Sequence, residues 1–215
     1  MRIINSIRDP SIEEFNQYYE ASGGFIRELT LAPELKNSLE LIKHAVSRDV
    51  IVQLGHTNAT YEETIDAIIA GASKATHIYN AMREIHHREP GVVVARLRSP
   101  SIFVEIIVDF IHVSPQMVEF TIEYAGVNRQ DSSGIRCYFS NRATRWSIKI
   151  EVKKGISRLV ETGSLASSTL TMDRAFRNLV SLGYSMNEAF KMTSTNPARS
   201  ISANIVENRS IKTEL

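Results

Sequence analysis

Two histidines, His56 and His77, each follow a short apolar run and stand one strand–helix unit apart. The first closes Val50-Ile51-Val52-Gln53-Leu54-Gly55-His56, and the second lies in Ala75-Thr76-His77-Ile78-Tyr79-Asn80-Ala81-Met82. Between them, Tyr61 to Ala70 has helical spacing, with Ile65, Ile68 and Ile69 on one face. Parallel strands joined by a helix point the same way, so their C-terminal ends lie side by side. Two imidazoles placed there can share one divalent ion, and an ion so held activates water for hydrolysis. A single histidine after an apolar strand is more often a hydrogen-bonded structural residue; the equivalent placement of two is what points to a metal.

The elements that must position this pair alternate along the chain. Asp9-Pro10-Ser11 opens a helix with Ser11 as N-cap and Glu13 and Glu14 in the first turn, ending near Glu20 before Gly23-Gly24. Phe25 to Ala32 reads as a strand, Asn37 to Arg48 as a helix and Val50 to Leu54 as a strand. The Tyr61 helix follows, then a strand around Thr76 to Tyr79 and a short helix over Val92 to Leu97. Phe103 to Phe110 is strongly β-branched, and Ser114 to Tyr124 is helical. Four strands alternating with helices predict a parallel α/β fold. From Val127 to Trp146 the rhythm breaks: four arginines, the only Cys and the only Trp occur with no apolar run of strand length. Ile148 to Val152 then reads as a strand before a turn at Lys154-Gly155, followed by helices over Ser168 to Leu182 and Ser185 to Thr193.

Composition narrows the function classes. At 215 residues the chain is long enough for one domain with a real core, yet short of the roughly 250 residues of a complete (β/α)₈ barrel. A formal net charge of +1 gives no electrostatic case for nucleic acid or an anionic membrane. The single cysteine, Cys137, excludes an internal disulfide framework and fits a reducing cytoplasm. The N-terminus has no apolar signal core, and no apolar run approaches the ~18 residues of a membrane span. The expectation is a soluble cytoplasmic protein.

Several motifs in order resemble the N-acetylglucosamine-6-phosphate deacetylases of the amidohydrolase superfamily. They are Thr-Leu-Ala-Pro-Glu (30–34), Gly-His-Thr-Asn-Ala-Thr (55–60), Thr-His-Ile-Tyr-Asn-Ala-Met (76–82), His-Arg-Glu-Pro-Gly (87–91), Asp-Phe-Ile-His-Val (109–113) and Gly-Ser-Leu-Ala-Ser-Ser-Thr-Leu-Thr-Met-Asp (163–173). With Thr195-Asn196-Pro197-Ala198-Arg199, the resemblance covers about Asp9 to Ser200. It implies a partial (β/α)₈ TIM barrel of the metal-dependent hydrolase type over 1–201 and a polar tail over 202–215. It also implies hydrolysis of the acetamide of N-acetylglucosamine 6-phosphate to glucosamine 6-phosphate and acetate, with zinc or iron as cofactor and a homodimer as assembly.

Residue by residue, the resemblance makes His56 and His77 the metal ligands. Asn80, Ala81, Asp109, Leu165, Ala166 and Ser167 fall where the family touches the sugar, and Arg88 and His112 where it binds phosphate. An arginine offers a planar fork to phosphate oxygens, although taken alone Arg88 reads as a solvated loop cation. His86, and more weakly His87, read as solvent-facing turn residues, and His44 as a surface residue of its helix. Hydrolysis needs a carboxylate that takes a proton from water and hands one to the departing amine. Asp131 matches that position, with a turn aspartate as its plain alternative; Asp109 is the other candidate. Phe110 and Ser167 stand where the family has glycine.

The family's first strands, with a His-x-His pair and a His-Leu-Glu-Gly-Pro segment whose Glu binds metal, have no counterpart before Asp9. Two imidazoles alone hold zinc weakly, since catalytic zinc usually has three protein ligands. The sequence therefore reads as a truncated deacetylase or a gene model lacking its 5′ end, with a possible frameshift near 127–146. Its rivals are a non-catalytic sugar-phosphate binder and an amidohydrolase acting on another amide.

Overall fold

The computed structural model describes residues 8–99, 102–125, 135–137 and 149–201; Asp131, most of the 127–146 stretch and the 202–215 tail lie outside the described residues. Helix α1 (Ile12–Ala21) begins where Ser11 caps it, its Oγ accepting from Glu14 N at 3.3 Å. There follow β1 (Glu28–Leu31), α2 (Ser38–Val46), β2 (Ile51–Leu54), α3 (Tyr61–Ile69), β3 (Lys74–Ala75), α4 (Gly91–Arg98), β4 (Phe103–Ile106), α5 (Pro115–Ala125) and β5 (Ile135–Cys137). The five strands form one sheet in chain order β1-β2-β3-β4-β5, every neighbouring pair parallel. An antiparallel hairpin of β6 (Ile150–Lys153) and β7 (Ile156–Leu159) follows, turned by Lys154 and Gly155 in the left-handed region. The described chain ends with α6 (Met172–Ser181), α7 (Met186–Phe190), a π-helical turn (Lys191–Thr195) and α8 (Asn196–Ser200). No helix among the described residues is long and apolar enough to cross a membrane.

Strand alternation sorts the sheet into two faces. Leu31, Val52, Leu54, Ala75, Val104 and Ile106 face the helices and are buried there with Ile42, Ala45, Ala67, Val92 and Val118. Fully burying one such side chain stabilises by about 1.5–3 kcal/mol. The other face is polar. The Lys74 ammonium, 1% exposed, bridges Glu28 of β1 and Glu105 of β4, the latter at 3.0 Å. Gln53, level with Lys74 in the register, is buried beside it. A charged layer thus ties β1, β3 and β4 together on the face opposite the helices.

Several expectations differ in the structure. The strand placed at Thr76 to Tyr79 is Lys74–Ala75 instead, because His77 and Tyr79 have positive φ, which ends extended backbone. The strand from Phe103 stops at Ile106, and β5 occupies a three-residue run inside the stretch without a strand pattern. In α3, Thr64 and Ala67 are the buried positions, while Ile69 is 79% exposed. His44 is half-buried rather than on the surface, its Nε2 2.8 Å from Asn16 Oδ1 and its ring edge-on to Phe15.

Candidate active site

His56 and His77 meet. Their Nε2 atoms are 3.1 Å apart and the rings cross at 82°. His77 Nδ1 lies 3.1 Å from Asn80 O and can only donate to it, which leaves the Nε2 lone pair free for His56's side of the gap. Burial, and then the neighbouring His56 ring, hold the His77 imidazole below its ordinary value, so it is neutral at physiological pH. Tetrahedral zinc with nitrogens at about 2.0–2.1 Å sets two ligand nitrogens about 3.3 Å apart, so the pair has the spacing of two ligands of one ion. Among the described residues no group of three or more His, Cys, Asp or Glu completes a metal cluster. The donor set therefore fits two coordination positions.

Close packing below the pair fixes where the two loops leave the sheet. Gly55 precedes His56, and a Cβ there would lie 2.9 Å from Thr76 Cβ and 3.3 Å from Thr30 Cγ2. Beyond the histidines the chains rejoin: Thr57 N donates to Ala81 O at 3.0 Å and Arg83 N to Thr57 O at 3.0 Å. Tyr79 points away, its hydroxyl 2.6 Å from Thr121 Oγ1 on α5.

A second polar centre forms after β4. Asp109 Oδ2 accepts from His112 Nδ1 at 2.6 Å and from Ser168 Oγ at 2.7 Å. Its Oδ1 accepts from the backbone N–H of Ile111 at 2.9 Å and of His112 at 2.8 Å. Burial alone would raise the Asp109 carboxyl, but the side chain and backbone of His112, then Ser168 and Ile111, outweigh it and hold the group at about 2. The two centres stand at the ends of the neighbouring parallel strands β3 and β4, where Ile78 N donates to Glu105 O at 2.7 Å. With Nδ1 on Asp109, the His112 ring is fixed in orientation and keeps Nε2 for a ligand.

The remaining expected residues fall as follows. Asn80 turns its amide back onto the loop, Nδ2 donating to Ile78 O at 3.2 Å. Ala81 is exposed and supplies its carbonyl to Thr57. Leu165 bridges antiparallel to Arg158, and Ala166 N donates to Ser157 O at 3.0 Å, which holds Ser167 exposed beside Ser168. Arg88 is exposed and donates to His87 Nε2 at 2.7 Å. Glu89 anchors that loop by accepting from Tyr61 N at 2.9 Å and Gly91 N at 3.0 Å. Asp131 lies outside the described residues. Ser168 is a site residue the sequence reading passed over; it directly follows Leu-Ala-Ser in the motif already singled out.

Backbone strain gathers at the same place. Of the nine non-glycine residues with positive φ among the described residues, six belong to these loops: His56, His77, Tyr79, Ala81, Phe110 and Ser167. Such positions cost of order 1–3 kcal/mol each and persist where the surroundings over-determine them. Phe110 and Ser167, the two departures from glycine, have φ of 63° and 64°. The Phe110 side chain packs against the apolar core under the helices.

The profile of the amidohydrolase family matches residues 4–205. The chain belongs to the amidohydrolase family. Members of this family are typically metal-dependent. The amidohydrolase chain is 34% identical over 203 residues to the N-acetylglucosamine-6-phosphate deacetylase of Lysinibacillus sphaericus, covering 92% of this chain and 52% of that protein. It is 36% identical over 196 residues to the N-acetylgalactosamine-6-phosphate deacetylase of Escherichia coli O157:H7, covering 89% and 52%. Among solved structures it is similar to an N-acetyl-D-glucosamine-6-phosphate deacetylase mutant from Mycobacterium smegmatis in complex with N-acetyl-D-glucosamine-6-phosphate. The TM-score is 0.84 at 34% identity, over 91% of this chain and 54% of that one. The amidohydrolase chain thus spans about half the length of the relatives it matches, and its α/β fold with a parallel sheet is the fold of those neighbours.

Proposed function

We propose that the chain carries the metal-gripping and sugar-phosphate-binding part of a cytoplasmic N-acetylhexosamine-6-phosphate deacetylase built on a partial (β/α)₈ barrel. The reaction is hydrolysis of the acetamide of N-acetylglucosamine 6-phosphate, giving glucosamine 6-phosphate and acetate. The observation that carries this reading is the 3.1 Å approach of the His56 and His77 Nε2 atoms, in a chain whose relatives bear deacetylase names.

His56 and His77 would hold a divalent ion, zinc or iron, and such an ion supplies carbonyl polarisation and a water acidic enough to ionise near neutral pH. The neutral His77 keeps its Nε2 lone pair available for that purpose. His112, oriented by Asp109, presents Nε2 to the bound sugar phosphate, and Arg88 reaches the phosphate from the exposed loop, in a homodimer at the subunit boundary. Both Asp109 oxygens are engaged by His112, Ser168 and the Ile111 N–H, so the proton-transfer step is not assigned to it. A carboxylate held at about 2 by four hydrogen bonds is a poor base, whereas an effective one titrates near the working pH. Asp131 is the carboxylate assigned to that step, taking a proton from water and giving one to the leaving amine.

A second reading, binding without turnover, draws on the lack of a third metal donor among the described residues. Metal analysis of purified protein, combined with acetate release from both N-acetylhexosamine 6-phosphate epimers and from unphosphorylated N-acetylglucosamine, separates the two. Bound metal with acetate released from a phosphorylated epimer supports the deacetylase. Phosphosugar binding with no acetate selects the binder, and turnover of unphosphorylated amides alone contradicts both.

A further inference from the structure

We propose that Glu34 is a positioning residue for the His56–His77 pair; the inference rests on the metal-binding reading above. Glu34 follows Pro33 just beyond the end of β1, and its side chain reaches across to the loop after β2. Its Oε2 accepts from the Thr57 hydroxyl at 2.5 Å and its Oε1 from the Asn58 N–H at 2.7 Å. Both partners directly follow His56. Thr57 is 4% exposed, and its Oγ1 also accepts from Ala59 N at 3.0 Å.

Thr57 is the junction of the site. Its backbone joins the His77 loop through Ala81 and Arg83, and Arg83 Nε donates to Asn58 O at 2.7 Å. One carboxylate from β1 therefore grips the residue that ties the β2 and β3 loops to each other. The two loops also carry left-handed residues at His56 and Ala81, φ 51° and 52°, conformations that need outside ties to persist. Glu34 directs both oxygens to Thr57 and Asn58, so it acts on the imidazoles through the loop rather than as a ligand.

The test compares the wild-type chain with Glu34→Ala, Glu34→Gln and Thr57→Val. Three quantities are measured on each: the His56–His77 inter-ring NOE in metal-free protein, Asn58 amide exchange, and Co²⁺ affinity by titration calorimetry. Glu34→Ala should lose the inter-ring NOE, expose the Asn58 amide and weaken Co²⁺ by about 10- to 100-fold, the range for losing a residue that orients a ligand. Gln accepts from Asn58 N–H and donates to Thr57 Oγ1, so Glu34→Gln should recover most of the affinity. Thr57→Val removes only the hydroxyl and reads the same contact from its other end, should Glu34→Ala fail to fold. Folded variants whose rings stay together and whose Co²⁺ affinity remains within twofold of wild type overturn the proposal. A wild-type chain that takes no Co²⁺ defeats the metal reading instead, and the NOE then decides the positioning role by itself.

Discussion

Changing Ser167 to glycine removes a side chain from backbone that disfavours one. At φ 64° the Cβ of an L-residue crowds its own backbone, a cost of about 1–2 kcal/mol. Glycine gives back part of the gain, because the unfolded chain becomes more flexible by about 0.4–1 kcal/mol. Ser167 is exposed and its hydroxyl makes no hydrogen bond among the described residues, so little else is lost. The net expectation is a stabilisation of about 0.5–1 kcal/mol, a rise in Tm of about 1–4 °C for a chain of this size. Phe110 has the same conformation but the opposite outcome. Its half-buried ring packs on the core, and truncating a fully buried aromatic costs about 3–5 kcal/mol, so even part of that loss exceeds the relief at the backbone and Phe110→Gly should melt lower than wild type. Ser47→Gly, at φ −65°, is the control with no relief to give. Thermal melts by circular dichroism on the three variants make the comparison. If Ser167→Gly melts below wild type by as much as Ser47→Gly, the left-handed backbone at 167 holds no strain and the argument is refuted.

Three further outcomes follow from the same coordinates. Lys74→Ala withdraws the buried ammonium from Glu28 and Glu105 and should cost about 3–5 kcal/mol, read as a lower urea midpoint; Lys74→Met should do no worse. The Asp109 carboxyl is depressed to about 2, so its contribution to stability is present above its unfolded value and is lost as pH falls from about 4 toward 2. Acid titrations of wild type and Asp109→Asn should differ in slope over that window and run parallel above it. Gly55→Ala drives a methyl to 2.9 Å from Thr76 Cβ, and should cost about 1–3 kcal/mol and separate the histidine rings, as seen in their NOE.

The histidine pair was legible because parallel connectivity converts spacing along the chain into proximity in space, placing His56 and His77 at neighbouring strand ends; the ties that set their rings at 3.1 Å lie in the loops. Two helices were legible from their caps, at Ser11 and Ser185. The end of β3 was not, because Thr76 to Tyr79 has strand-forming side chains while its path is set by the left-handed turns at His77 and Tyr79. Nor was β5, a strand of three residues, Ile135–Cys137, too short to show a period. Lys74, Glu28 and Glu105 gave no sign of forming one cluster, since that depends on the sheet's register and not on spacing within a segment. Ser168 and Glu34 stood in quoted motifs, yet their bonds to Asp109 and Thr57 run between distant parts of the chain.

The order β1-β2-β3-β4-β5 gives every ladder in this sheet to segments that are consecutive in the chain. Each strand lies against the one that precedes it in the chain, so every ladder closes over a single strand–helix unit rather than between distant termini. A fold of this kind can be lengthened, shortened or recombined between one strand–helix unit and the next, with only one seam of hydrogen bonds exposed by the cut.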